Sequence, residues 1–409
     1  MMRRTLYPED TTASHGMFVV LMLTCVINVL DRQVSSVVIP SVRLALAMSA
    51  QQSGAAYVVL YFSAGISALL TAWLMDRMSR KHLVIVGIVL CSIGTALVAY
   101  VQTVPQYIAL RLLTGIGVGM HLVAATAIGM ANFPKNRALV AGAVAFTFGV
   151  GAALGPNLGG IVYHAYGWRV VHTVLGLAGL PAVFLVAWLV KPTFAEMRRG
   201  NVLKPPGDTR REGTQASRFM RLLLPTAAVV LLSFTIFGYL LQYVPYLQEG
   251  QRFPPRLANV AIGAYGFGAL FALHGGWLDR RYGSRRTSMG AFVVSAIAGG
   301  TLFGGLSGAP TFHILMSLMF GAVISGVAYV SLLTWMVESS APNRENLAIG
   351  LFFAGFYLPV PLVTYAFGAL KESLGWTATG LLLVSGLSLC AALLVSAASM
   401  SRPASPIQS

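Results

Sequence analysis

Twelve mostly apolar stretches, each of about twenty residues, follow one another along the chain, separated by short polar segments and by one long charged one. Their approximate bounds are 17–39, 53–74, 83–101, 105–131, 138–163, 170–190, 222–247, 257–278, 287–306, 311–337, 346–370 and 376–396. A helix of that length crosses the ~30 Å of bilayer hydrocarbon while satisfying its own backbone hydrogen bonds. A water-soluble core has no use for so much unbroken apolar surface. The pattern predicts an all-α membrane protein with twelve transmembrane helices.

Polar residues inside the spans are few and regularly spaced. Thr24, Asn28, Asp31 and Ser35 fall at i, i+4, i+7 and i+11 of the first span, one stripe with Arg32 and Ser36 beside it. On the fourth, Arg111, Thr114 and His121 fall at i, i+3 and i+10. A charge at such depth costs ~2.5–3.5 kcal/mol, so these faces are expected to meet a wet cavity or a partner. At ~1.5 Å per residue, Asp31 lies ~5 Å and Arg111 ~10 Å outward of their span centres. An Asp31–Arg111 pair is within reach if the first and fourth spans are neighbours. Asp31 and Arg32 alternatively lock the first helix in place, although apolar packing often does that as well. His121 is either a second proton-coupling group or the hydrogen-bond partner of a carbonyl. Glu338 ends the tenth span and reads as interfacial or gating.

The later spans offer aromatics rather than charges. Tyr239, Gln242, Tyr243 and Tyr246 share a face of the seventh span, and Tyr265 lies on the eighth. Ser325 and Tyr329 lie on the tenth, Tyr357 and Tyr365 on the eleventh. Ordinary packing and the interfacial aromatic belt account for Tyr246 and for some of the others. The rest are expected to form one wall of a cavity.

Composition supports the membrane reading. The chain is 56% hydrophobic and 10% charged, against ~25% charged in soluble domains. Its formal charge of +16 suggests a nucleic-acid surface until the basic residues are placed. With a cytoplasmic amino terminus, 21 of the 28 Lys and Arg fall in terminal segments and even-numbered loops. Arg43, Arg169, Arg252, Arg256 and Lys371 fall in odd-numbered loops, and Arg32 and Arg111 inside spans. That is the positive-inside bias, and it predicts cytoplasmic termini. The first span is too long for a signal-peptide core, lacks a small-residue cleavage site and is expected to remain. Cys25, Cys91 and Cys390 all lie in spans without metal-ligand spacing. No metal site, cofactor or nucleotide loop is expected, and no enzyme activity.

The segment 191–221 holds eight basic residues with Pro205, Pro206 and Gly207, and reads as a cytosolic linker between bundles 1–190 and 222–409. The two parts echo each other. Asp76-Arg77 follows the second span and Asp279-Arg280 the eighth; Gly167-Trp168 precedes the sixth and Gly375-Trp376 the twelfth. Pro134 with Arg137 is matched by Pro342 with Arg344.

These residues carry a resemblance to the major facilitator superfamily, extending over essentially the whole chain. Asp76-Arg77-Met78-Ser79-Arg80-Lys81 resembles the superfamily's loop between helices two and three, with Ser79 and Ala72 where glycines are usual. Asp279-Arg280-Arg281-Tyr282-Gly283-Ser284-Arg285-Arg286 resembles a second copy with an insertion. Arg111 with Gly115, Gly117 and Gly119 resembles the fourth-helix motif. The resemblance implies two pseudo-symmetric six-helix bundles that work by alternating access. Helices one, four, seven and ten would line a cavity, with the substrate site near the bilayer midplane.

Physical chemistry adds a gate. Asp76 is expected to face the start of helix eleven and Asp279 that of helix five, each contact worth ~0.3–1 kcal/mol, or up to ~2 if partly buried. Arg77, Arg80, Arg137, Arg280, Arg285 and Arg344 would complete this cytoplasmic gate, or some of them merely set orientation. Gly142, Gly151, Gly155, Pro156, Gly159 and Gly160 on the fifth span match the motif named for drug:proton antiporters. Small residues allow close packing and proline favours a kink.

Two functions compete. Asn28-Val29-Leu30-Asp31-Arg32 with Pro40, and Gly176-Leu177-Ala178-Gly179-Leu180, resemble the anion:cation symporter and spinster-type families. That implies proton-coupled uptake of a small organic anion with an apolar or aromatic body. Asp31 and His121 would couple protons. Asn28, Arg32, Arg111, Tyr239, Gln242, Tyr243, Tyr265, Tyr329 and Tyr357 would bind substrate. In the expected mechanism ionised Asp31 pairs with Arg111 or Arg32 until a substrate carboxylate takes the arginine. Asp31, left in a poorly solvated site, then binds a proton. The alternative is proton antiport of drugs or amphipathic compounds, lysolipids included. The expected setting is a bacterial inner membrane, as a monomer with no nucleic-acid partner.

Overall fold

A computed structural model describes residues 12–196, 215–306, 308–341 and 344–400. Most of the expected linker (197–214), Pro342 and the amino-terminal Arg3 and Arg4 lie outside the described residues. Among those described there is no strand. The helices are α1 (Thr12–Ala45), α2 (Ala50–Leu74), α3 (Arg80–Leu97), α4 (Val104–Asn132), α5 (Arg137–Leu177), α6 (Gly179–Leu189), a short α7 (Pro192–Ala195) and α8 (Gln215–Pro245). There follow α9 (Pro255–Ala269), α10 (Ala272–Tyr282), α11 (Ser284–Phe303), α12 (Pro310–Val323), α13 (Tyr329–Ser339), α14 (Glu345–Tyr357), α15 (Val360–Gly380) and α16 (Leu387–Met400). Single π turns join α12 to α13 and α15 to α16.

Eight helical runs among the described residues are long and apolar enough to cross a bilayer, or nine when α9 and α10, bent by 44°, count as one. Two of the eight, Pro134–Leu189 and Glu345–Ala397, are of about double length at 56 and 53 residues. Each is interrupted by a glycine in the left-handed region, Gly167 (φ 80°) and Gly375 (φ 79°). Glycine adopts that conformation without the Cβ clash other residues suffer. These are the Gly-Trp sites of the sequence echo, 208 positions apart. Ala47 and Arg252, the positive-φ residues other than glycine among the described residues, stand 205 apart. The repeat is therefore present in the backbone as well as in the loops.

Local signals start the helices where they begin. Ser49 caps α2 with Gln52 returning the bond, and the Ser79 hydroxyl accepts from the His82 N–H at the start of α3. Proline stands in the first turn of α4, α9, α12 and α15, where a missing N–H costs nothing.

Close packing fixes what the site residues face. On α5, Gly151, Gly155 and Gly159 form a groove that receives Val29, Gln33 and Val34 of α1; a Cβ at Gly155 would lie 2.7 Å from that of Gln33. The glycine motif thus seats α1. Helical dihedrals run on through Pro156, and the break in α5 comes at Gly167. Gly142 of the same helix instead meets the carbonyl of Ala272 on α10, at 2.7 Å from a would-be Cβ. Gly350 of α14 likewise packs on Ala68 and Ala72 of α2. The first and second parts of the chain share one continuous apolar core.

Candidate functional site

Arg32 and Asp31, adjacent on α1, serve two different spaces. A cavity of about 550 Å³, counted with its mouth, lies between the first and second parts of the chain. Aromatic rings dominate its wall: Tyr61 of α2, Phe148 of α5, Phe237 of α8, Tyr329 of α13, and Phe356 and Tyr357 of α14. Arg32 carries the one formal charge among the lining residues. Its Nη1 donates to the Tyr357 hydroxyl at 3.0 Å. Its guanidinium carbon lies 5.2 Å from the Phe148 ring centre and 5.9 Å from that of Tyr357, the range of a cation–π contact. Nε and Nη2 have no protein partner although Arg32 is 4% exposed. Tyr265 also reaches this cavity, its hydroxyl bonded to Ser325, while the Tyr329 hydroxyl has no partner.

Asp31 points the other way, into the interior of the first six spans. Its Oδ2 accepts from the Thr95 hydroxyl of α3 at 2.8 Å, and its Oδ1 has no partner. It shares a cleft of about 340 Å³ with Asn28, Cys91 and His121. Asn28 donates to the Cys91 sulfur at 3.1 Å. The Thr24 hydroxyl donates to the Leu21 carbonyl, so it accepts from His121 Nε2 at 2.9 Å, which sets the imidazole tautomer. The stripe Thr24–Asn28–Asp31 is therefore one helix face, as its spacing predicts, but it turns toward α3 and α4.

Arg111 is 2% exposed beside the Tyr107 ring, and Nε, Nη1 and Nη2 all lack partners. The expected Asp31–Arg111 ion pair is not formed, and neither is Asp31–Arg32. Helix geometry explains the second absence, since Arg32 is rotated by about 100° from Asp31 around α1; in place of the first pair Asp31 bonds Thr95 and Arg111 lies beside Tyr107. Of the tyrosines expected in the cavity, Tyr265, Tyr329 and Tyr357 line it. Tyr239 and Tyr243 are fully buried in a stack with Tyr265, and Tyr243 bonds His313 at 2.6 Å. Gln242 is half-buried outside both spaces. Tyr61, Phe148 and Thr95 escaped the sequence reading. Thr95 had no signal, whereas Tyr61 stands one turn from Tyr57 on an otherwise aliphatic helix face.

The expected gate residues gather at the end of the molecule bearing the charged loops. Asn346, in the first turn of α14, donates to Asp76 at 3.1 Å and accepts from Arg80 at 3.0 Å. Arg137 pairs with Glu345 across the two parts of the chain. Asp279 accepts from Ser284 at 2.9 Å, with Glu338 on the same hydroxyl, and its Oδ1 meets no N–H of α5. Arg285 stacks on Trp335. Arg77 instead lies over Trp73 of its own helix, and Arg280 and Arg344 are exposed.

Glu196, just after α7, caps this network. It accepts from the Ser79 hydroxyl and from the backbone N–H of Arg80 and Lys81 at 3.2 Å. Partial burial pulls its carboxyl upward, but these hydrogen bonds outweigh it and leave the group below the usual 4.5. A carboxylate so depressed stabilises the fold above its unfolded value and loses that contribution as pH falls through the folded one. The thermal midpoint of the native protein should therefore fall more between about pH 5 and pH 3 than that of Glu196→Gln. Parallel curves for the two proteins would remove this role.

An all-helical, multi-pass integral membrane protein with an Arg-bearing, largely aromatic cavity between two repeats is the class of molecule these features define. The sequence model of the Major Facilitator Superfamily matches residues 21–364, and the chain belongs to that family of transporters. Among curated relatives, a probable sulfoacetate transporter of Cupriavidus necator is 25% identical over 305 residues, 71% of each chain. Protein spinster of Drosophila melanogaster is 27% identical over 63% of this chain and 43% of its own length. A multidrug resistance protein B homolog of Mycobacterium tuberculosis is 26% identical over 57% of this chain and 53% of its own. A solved structure of a proton:xylose symporter, bound to 6-bromo-6-deoxy-D-glucose, superposes with a TM-score of 0.75 at 15% identity, covering 95% of this chain and 96% of that one.

Proposed function

We propose that this transporter is a proton-coupled symporter of a small organic anion with an apolar or aromatic body. The observation that carries the reading is Arg32: one cation, with two unpartnered nitrogens, in a cavity whose other lining residues are seven aromatic rings and seven small, aliphatic or uncharged polar side chains. A buried guanidinium edge favours a carboxylate or sulfonate, and the rings favour an apolar remainder. The relative named for sulfoacetate agrees with the anionic class alone, since sulfoacetate carries two charges and no apolar body.

In this mechanism substrate occupies Arg32 while a proton occupies Asp31 one residue away. Binding an anion at Arg32 adds negative charge beside Asp31, and protonation offsets it. Asn28 and His121 shape the polar cleft around Asp31 rather than touching substrate, Arg111 lies outside it beside Tyr107, and Tyr265, Tyr329 and Tyr357 serve the cavity. Contacts between the two repeats run from the charged-loop end, at Arg137–Glu345, Gly142 and Gly350, to mid-depth, at Gly65 against Leu358 and Gly149 against Leu270. We read this as the state closed on the cytoplasmic side, with both termini on that side of a bacterial inner membrane. On this reading each double-length run is two passes, and with α9–α10 and α11 the chain makes twelve. Bundles 1–190 and 222–409 are joined by 191–221 and act as a monomer.

Antiport of drugs or amphipathic compounds is the second reading, favoured by the ring-lined wall. Proteoliposomes loaded with a pH dye separate the two. Adding benzoate outside should acidify the lumen under symport, whereas alkalinisation would establish exchange of substrate against protons.

A further inference from the structure

Within that anion-carrier reading, we infer that Tyr357 is a positioning residue, contributed by the second bundle, that shapes Arg32 of the first into a side-on fork for a single oxyanion. A guanidinium offers paired N–H groups along two edges, Nη1 with Nη2 and Nε with Nη2. Tyr357 takes Nη1, which spoils the first edge, and leaves Nε and Nη2 together as the free one. Phe148 supports one face of the plane at 5.2 Å and limits its rotation. Arg32 itself lines the cavity, and Nε and Nη2 are buried without a protein partner. One carboxylate fits that edge with two parallel hydrogen bonds, the geometry in which Arg recognises carboxylate best.

Two properties follow. With one fork and no second cation on the cavity wall, the site selects monoanions; a dianion would bring one charge into the rings without a partner. The fork is also assembled from both repeats, since Arg32 sits on α1 and Tyr357 on α14. Affinity for the anion therefore depends on how the bundles meet at mid-depth, which lets substrate favour one arrangement over the other.

The test uses the full-length protein in nanodiscs, titrated with benzoate, its neutral isostere benzamide and the dianion phthalate. Wild type should bind benzoate at least about 10-fold more tightly than either comparator, a step of ~1.4 kcal/mol. Tyr357→Phe should lose about 10-fold in benzoate affinity with benzamide unchanged. In counterflow it should raise KM while leaving the maximal rate within about 2-fold, because Arg32 remains but is less well held. Tyr357→Gln, which returns a hydrogen-bond acceptor, should recover part of the loss; a ring serving only as packing would give no such recovery. Benzoate affinity in Tyr357→Phe equal to wild type would overturn the positioning role and leave the anion-carrier reading intact. Wild type that binds benzoate no better than benzamide would overturn both.

Discussion

Arg32→Gln should weaken benzoate binding by roughly 30- to 4,000-fold and bring uptake to background. Truncating one member of a buried, hydrogen-bonded charge pair costs ~2–5 kcal/mol, and each ~1.4 kcal/mol is a decade of affinity. The upper part of that range applies if the cavity stays dry, because the carboxylate then faces rings alone. Glutamine keeps a donor and much of the volume, so thermal stability should change little compared with affinity. Isothermal titration of the purified variant reads the first quantity and a melting curve the second. An affinity within 3-fold of wild type would remove Arg32, and with it the main support for an anionic substrate.

Asp31→Asn should abolish accumulation against a gradient while counterflow exchange continues within a few-fold of wild type. The amide keeps a carbonyl oxygen for the Thr95 hydroxyl, which now bonds Asp31 Oδ2 at 2.8 Å. It resembles a carboxylic acid that has its proton and never releases it. Net symport requires both protonated and ionised states, whereas exchange needs the loaded carrier alone. The comparison is made in one set of proteoliposomes, with and without an imposed pH gradient. Uphill uptake surviving in the variant would show that the coupling proton travels elsewhere. His121, whose Nδ1 is unpartnered in the same cleft, would be the next residue to replace.

Much of this molecule is legible in its sequence because bilayers leave few options. Long apolar runs must be helices, and the Gly-Trp echo marks the two glycines whose left-handed φ interrupts the double-length runs. Asp76 and Arg80 of the loop motif meet the Asn346 side chain in the first turn of α14. The motif does not reveal Asn346 as the side chain between them, since an amide beside an acidic residue at a helix start reads as capping. The polar stripe of α1 gives the correct face but no azimuth. Spacing states which residues point together and says nothing of which neighbour they meet, so the Asp31 stripe, expected on the cavity, turns away from it while Arg32 beside it lines the cavity. The tyrosine face of α8 fails for another reason. Tyr239 and Tyr243 satisfy their rings by stacking on one another, 4.5 Å between centres, and an aromatic stripe looks the same in sequence whether it lines a cavity or fills a core.

The three glycines of α5 carry an implication for movement. With Val29, Gln33 and Val34 keyed into that trough, α1 can neither slide along its neighbour nor roll against it. Arg32 and Asp31 are thus carried as cargo on a two-helix strut, and switching access must be a tilt of that strut as a whole. The movement it demands falls on the seam where Gly142 and Gly276 let backbones touch, and opening that seam must also break Arg137–Glu345 and Asp76–Asn346.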